Sequence, residues 1–211
     1  MVDALAGQAQ DSDTAALAQR MQGAVDCLRD MFETLVELCR LEGGLRQTVP
    51  TVIAVDALGG RVLNAVRQSD VAGPGRLTGS FAEAAVRSDE LLLAKLLRHL
   101  LLNAVANTVE ESIDIAGSCR EGTYEVRISV PCTRPDQAVR ERAFIELRSG
   151  GVHRPVYALG LATLRRYADC LGHPLEVRVE EDRRFVLTLK LPLTAVTPDA
   201  DRPVDALIGT S

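Results

Sequence analysis

From Leu91 to Val109 the chain reads Leu-Leu-Leu-Ala-Lys-Leu-Leu-Arg-His-Leu-Leu-Leu-Asn-Ala-Val-Ala-Asn-Thr-Val, a helix apolar on nearly every side. Such a helix must be deeply buried, because no face of it can remain in water. Ser88-Asp89-Glu90 supplies a cap and two acids for its positive end. The segment is not a bilayer span: no run in the chain reaches the roughly 18 to 20 uncharged apolar residues a crossing needs.

With 211 residues the chain accommodates one domain and an appendage, and a domain of this size buries about two thirds of its unfolded surface without metals or disulfides. The cysteines, Cys27, Cys39, Cys119, Cys132 and Cys170, are odd in number and lack metal-ligand spacing, which suits a reducing cytoplasm. Met1-Val2-Asp3-Ala4 does not open a signal peptide. A net charge of -5, from 24 basic and 29 acidic residues, argues against nucleic acid as a partner. No membrane partner is expected either.

A first helix is expected from about Asp13 to Glu42, with residues 1–12 as a flexible N-terminus. Leu17, Met21, Ala24, Leu28, Met31, Leu35 and Leu38 recur at alternating steps of four and three, the spacing that turns one stripe toward a partner helix. Ala18, Val25, Phe32 and Cys39 form a second line beside it, so this helix should meet more than one neighbour. Ser12 or Asp13 can cap its start, and Gly43-Gly44 ends it. The competing reading is a core helix of the same domain.

An extended link at Val49–Val52 leads to a shorter helix, Val55–Arg67, and a weak strand at Arg76–Phe81. Two strands, Ser112–Gly117 and Thr123–Val130, flank a turn at Arg120-Glu121-Gly122. After a charged stretch come a helix at Val156–Leu171, ended by Gly172-His173-Pro174, and a hairpin of Leu175–Glu180 with Arg184–Leu191. Residues 194–211 are small, acidic and Pro-containing, and read as a mobile tail.

Several segments in this order resemble the sensor histidine kinases. Leu38-Cys39-Arg40-Leu41-Glu42-Gly43-Gly44 is similar to the end of that family's dimerisation hairpin. Leu97-Arg98-His99-Leu100-Leu101-Leu102-Asn103-Ala104 resembles its N box, and Tyr157-Ala158-Leu159-Gly160-Leu161-Ala162 its second glycine box. Leu171-Gly172-His173-Pro174-Leu175 and the final strand ending at Pro192 match the close of such domains. The resemblance, covering about Leu28 to Leu193, implies an α+β fold. This is the two-layer α/β sandwich of the histidine kinase ATPase-like, or Bergerat, class, preceded by a long dimerisation helix at 13–44. Residues 45–193 would then form a degenerate ATP-binding-like domain.

By the same resemblance Asn103 holds the position whose amide binds nucleotide-linked magnesium in the family. His99 lies one turn earlier on the same face. The two could line a polar notch, or His99 could be a buried histidine bonded to backbone. Ala106 and Asn107 stand where the family offers a cation and an adenine-stacking ring. The first glycine box reads Cys132-Thr133-Arg134-Pro135-Asp136. A thiol there is a poor acceptor for the adenine amino group, a loss of about 1 to 3 kcal/mol, and Arg134 and Asp136 replace glycines that allow close approach. In the second box only Gly160 remains, a weak anion site at a helix start. Together these losses can cancel most of a micromolar affinity, roughly 8 kcal/mol.

No histidine precedes His99, so the phosphoacceptor that the family carries on the first hairpin helix is not expected on this chain, unless the chain is a fragment. Within Gln137–Gly151, where the family has its ATP lid, Val139, Ala143, Phe144 and Leu147 could form one face of a short helix, with arginines opposite that are either solvated or receptive to an acidic partner. The expectation is a bacterial, cytoplasmic, histidine-kinase-like pseudoenzyme of two-component signalling. It would carry no cofactor, form a homodimer through Leu17 to Leu38, and bind a response regulator or a histidine kinase. The alternative is an ATP- and Mg-binding kinase or ATPase with an unusual site built on Asn103, His99 and Gly160.

Overall fold

The computed structural model describes residues 2–69, 76–106, 108, 112–131, 148–149, 157–158, 160–180 and 184–195. Helix α1 runs Val2–Glu42, followed by β1 (Thr51–Ala54), α2 (Val55–Gln68), β2 (Leu77–Phe81), β3 (Ala85–Ser88) and α3 (Glu90–Ala106). Then come β4 (Ile113–Arg120), β5 (Thr123–Pro131), β6 (Arg148–Ser149), β7 (Tyr157–Ala158), α4 (Leu161–Cys170), β8 (Leu175–Val179) and β9 (Arg184–Pro192).

The main sheet has the order β2-β4-β5-β9-β8, with β2 parallel to β4 and every other pair antiparallel. Alternation places Tyr124, Val126, Ile128 and Val130 of β5 inward, beside Ile113 and Ile115 of β4 and Leu187, Leu189 and Leu191 of β9. The other face is charged. Arg184 meets Asp114 at 2.6 Å, Arg127 meets Glu180 at 2.6 Å, and Lys190 meets Glu176 at 2.6 Å. The β4–β5 turn is made by Glu121 (φ 46°) and Gly122 (φ 80°), both left-handed as a two-residue hairpin demands.

Helices α2, α3 and α4 cover the inward face. Leu58, Val62, Leu63 and Val66 of α2, Leu92, Leu93, Leu96, Leu97, Leu100, Leu101 and Val105 of α3, and Leu161 and Leu164 of α4 belong to one core. This is the two-layer α+β arrangement expected from the sequence, with α3 enclosed as its composition requires. Asp89 caps α3 by accepting from Leu92 N–H at 3.1 Å, and its other oxygen accepts from Val49 N–H at 3.0 Å, tying the α1–β1 link to the helix start. Gly44 (φ 68°) ends α1 in a left-handed cap, with Leu45 N–H bonded to Arg40 C=O at 2.8 Å.

Four local expectations change. α1 begins at Val2, so residues 2–12 continue the helix and Ser12 and Asp13 lie within it rather than capping it. Two short strands not read from the sequence, β1 and β3, pair antiparallel from Thr51↔Ser88 to Ala54↔Ala85. α4 starts at Leu161 instead of Val156, because Tyr157–Ala158 pairs with Arg148–Ser149 and Gly160 keeps an extended ψ of 146°. Arg148 is therefore in a strand; the rest of the expected lid helix, Val139, Ala143, Phe144 and Leu147, lies outside the described residues, as does the tail beyond Ala195.

Candidate functional site

Lys95, His99 and Asn103 recur at steps of four along α3 and so share one face. Across that face lies the C-terminal half of α1. Thr34 Oγ1 and His99 Nε2 are 2.7 Å apart, and both residues are buried, at 1% and 2% exposure. One turn along each helix, Lys95 Nζ donates to Glu37 Oε2 at 2.8 Å. The pairs 34–99 and 37–95 run in opposite senses, so the helices are antiparallel and Asn103, at 7% exposure, falls near the level of Met31. Burial first, then the neighbouring charges of Arg98 and Lys95, depress the His99 imidazole to about 3, so it is neutral at physiological pH. The Nε2 of this buried histidine is thus engaged by a side-chain hydroxyl of α1.

Glu37 is the centre of a wider network. It accepts from Lys95 of α3, from Tyr167 OH of α4 at 3.1 Å, and from Arg46 in the loop after α1. Burial, followed by the adjacent Glu37 carboxylate, holds the Tyr167 phenol above its ordinary range, keeping it a donor. At the end of α1, Glu42 takes a two-pronged bond from Arg166 of α4, at 2.8 and 2.6 Å. Sequence reasoning missed Thr34, Glu37, Lys95 and Tyr167. The available signal was Thr34 and Glu37 themselves, two polar residues set among Met31, Leu35 and Leu38.

The seven-residue stripe expected to form a dimer seam divides. Met31 and Leu38 are buried in this chain's own core, and Leu35 packs against it, because α1 from Met31 onward lies on the domain. Ala24 is half-buried, whereas Leu17, Met21 and Leu28 are exposed. With Val25, Phe32 and Val36 these make a continuous outward apolar stripe at steps of four, four, three, four and four, Phe32 being 71% exposed.

Gly160 stands at the head of α4, its carbonyl accepting from Thr163 and Leu164 N–H at 3.0 and 3.2 Å. Cys132, Arg134, Asp136 and Asn107 lie outside the described residues. A second buried histidine, His173, follows the left-handed Gly172 and pairs its Nε2 with Ser88 Oγ at 2.7 Å; burial lowers its pKa. Among the described residues no group of three or more His, Cys, Asp or Glu is placed to hold a metal ion, and no helix is long and apolar enough to cross a membrane.

No family model matches the chain, and no curated protein sequence does. Solved structures do. The histidine kinase AdeS of Acinetobacter baumannii superposes with a TM-score of 0.62 at 16% identity over 84% of each chain. Full-length ShkA, solved in complex with AMPPNP, gives 0.62 at 20% identity over 90% of this chain and 40% of its own. The mycobacterial sensor histidine kinase MprB gives 0.51 at 19% identity, over 69% of this chain and 98% of its own. These likenesses show the fold: the chain has that of a histidine kinase ATP-binding domain.

Proposed function

We propose that this protein is a non-catalytic, histidine-kinase-like regulator of two-component signalling in the cytoplasm, which pairs with a second copy through α1 and binds a response regulator or a histidine kinase. The observation that carries the reading is the position of α1 against Lys95 and His99 of α3, joined to them by Glu37 and Thr34. A magnesium nucleotide needs several oxygen ligands and backbone approach. Of the groups the resemblance assigns to nucleotide, the described residues hold one buried amide, Asn103, and one glycine, Gly160. The sequence Cys132-Thr133-Arg134-Pro135-Asp136 supports the same conclusion. Neutral His99, hydrogen-bonded at Nε2, is committed to packing and not poised to shuttle a proton.

The outward stripe of α1 supports pairing. An isolated helical segment carrying Leu17, Met21, Val25, Leu28 and Phe32 in water is marginal, and a second copy of the same stripe covers it isologously. The test of the non-catalytic reading is calorimetric titration with ATP and magnesium, where no binding in the submillimolar range is expected. Submillimolar affinity abolished by Asn103→Ala would overturn it in favour of a nucleotide-binding enzyme using Asn103, His99 and Gly160.

A further inference from the structure

Where the α1–β1 link, β3, the α4–β8 turn and the end of β9 converge, the fold leaves an open cleft of about 310 Å³. Pro50, Leu171, Pro192 and Leu193 give it apolar walls, and Arg87 and Asp89 are the charged residues of its lining. The two charges differ in what they have left to offer. Asp89 is buried, and its oxygens already accept from Leu92 and Val49 N–H. Arg87 stands exposed between buried Val86 and Ser88, as alternation along β3 requires, and meets no carboxylate among the described residues. A guanidinium free to bind an anion, set beside apolar walls, fits an acidic segment with small apolar residues. The volume is at the low end for ligand sites, about 300 to 1,000 Å³, and suits a few extended residues.

We propose that the chain's own residues 196–205, read from the sequence as part of a mobile tail, fold back and dock in this cleft, with Asp205 paired to Arg87. The starting point is already at the rim: Thr194 lines the cleft, and its N–H donates to Ala85 C=O at 2.9 Å. Leu193 bridges Val86 in the antiparallel sense, which sets Pro192 opposite Arg87 and sends the chain away from it. A reversal is therefore needed, and Thr197-Pro198-Asp199-Ala200 encodes one, with Pro at the second turn position, where its fixed φ belongs, and Asp after it. Folding back about that turn brings Val204 level with Leu193 and Asp205 level with Pro192, and so with Arg87. Residues 196–205 carry three aspartates against one arginine, together with Pro203 and Val204 for the apolar walls. Tethering holds the segment at an effective concentration of about millimolar, so one exposed ion pair and a few apolar contacts suffice. An acidic segment of another protein must displace this one to reach Arg87.

The test is hydrogen exchange by mass spectrometry on the intact chain, on Arg87→Glu, on Asp205→Arg and on the double variant that exchanges the two charges. In the intact chain, residues 196–208 should exchange more slowly than the same sequence as a free synthetic peptide. Each single variant should speed exchange there about two- to fivefold, the scale of an exposed ion pair, while β5 and β9 keep their protection. The double variant should return the rate to that of the intact chain, a rescue that a merely structural role of Arg87 does not give. If Arg87→Glu disturbs β3 itself, Asp205→Arg decides the matter alone. A tail that exchanges like the free peptide overturns the proposal, as do single variants without effect or a double variant no slower than the singles. Protection that fades on dilution also overturns it, since the cleft then holds the tail of a second copy.

Discussion

Thr34 on α1 and His99 on α3 share a hydrogen bond of 2.7 Å across an interface from which water is excluded. The bond consumes the Nε2 of an imidazole that burial keeps neutral. Glu37 of α1, Lys95 and Arg98 of α3 and the Tyr167 phenol of α4 are the titratable groups gathered around this contact. His99, which in the sequence read either as part of a polar notch or as a buried core histidine, lies in the fold against α1.

The neutral histidine makes stability depend on acid. The folded imidazole resists protonation down to about 3, whereas the unfolded one titrates at its ordinary 6.5. Between those values the unfolded chain binds a proton that the folded chain refuses, so the stabilisation is full above about 6.5 and declines toward 3, by up to about 1.4 kcal/mol per pH unit. His173, also depressed by burial, acts in the same direction. Urea denaturation of the native chain and of His99→Gln at pH 7, 6, 5 and 4 checks this: the variant should lose stability less steeply, and parallel slopes would refute it.

A second prediction concerns the sheet. A Cβ at Gly117 would lie 2.2 Å from Tyr124 Oη and 2.6 Å from the Phe81 ring. The Tyr124 hydroxyl cannot retreat, because its ring is fully buried and it donates to Ala82 C=O at 2.9 Å. Gly117→Ala should cost about 1 to 3 kcal/mol, read by chemical denaturation. Gly122→Ala should also destabilise, for a different reason: its φ of 80° strains an alanine although the space around it is open.

Asp89 joins two elements at once, so its removal should exceed an ordinary cap deletion. Asp89→Ala takes away the Leu92 cap and leaves Val49 N–H without its acceptor. The expected loss is about 2 kcal/mol, the upper end for a helix cap, together with faster hydrogen exchange of the segment around Val49. Asp89→Asn, which keeps an oxygen for one donor, should recover about half of it.

What the sequence made legible follows from how local each signal is. α3 was evident because nothing but enclosure explains Leu91 to Val105, and the β4–β5 hairpin because alternation converges on Glu121-Gly122. β1 and β3 escaped notice: each spans four residues, and each exists through its pairing with the other across an intervening helix and strand. His99 and Asn103 were found through motif spacing. Their covering was not, because a stripe on α1 states that a face is buried without naming what buries it. Thr34 and Glu37 acquire meaning only opposite His99 and Lys95, partners 65 and 58 positions away.

The division of α1 into two faces yields the sharpest contrast. Leu38 is buried in this chain's own core and Phe32 is 71% exposed on the opposite side. Leu38→Ala should therefore cost about 2 to 5 kcal/mol by transfer and cavity formation, whether or not the chain is paired. Phe32→Ala should change the stability of the monomer by no more than about 0.5 kcal/mol, yet weaken self-association, since it removes the largest apolar side chain from the outward stripe. Denaturation at low protein concentration, combined with light scattering across a dilution series, separates the two. If Phe32→Ala leaves the dilution midpoint unmoved while Leu38→Ala shifts it, the outward stripe is not the seam, and the pairing face must be sought on the inward stripe after release from the domain.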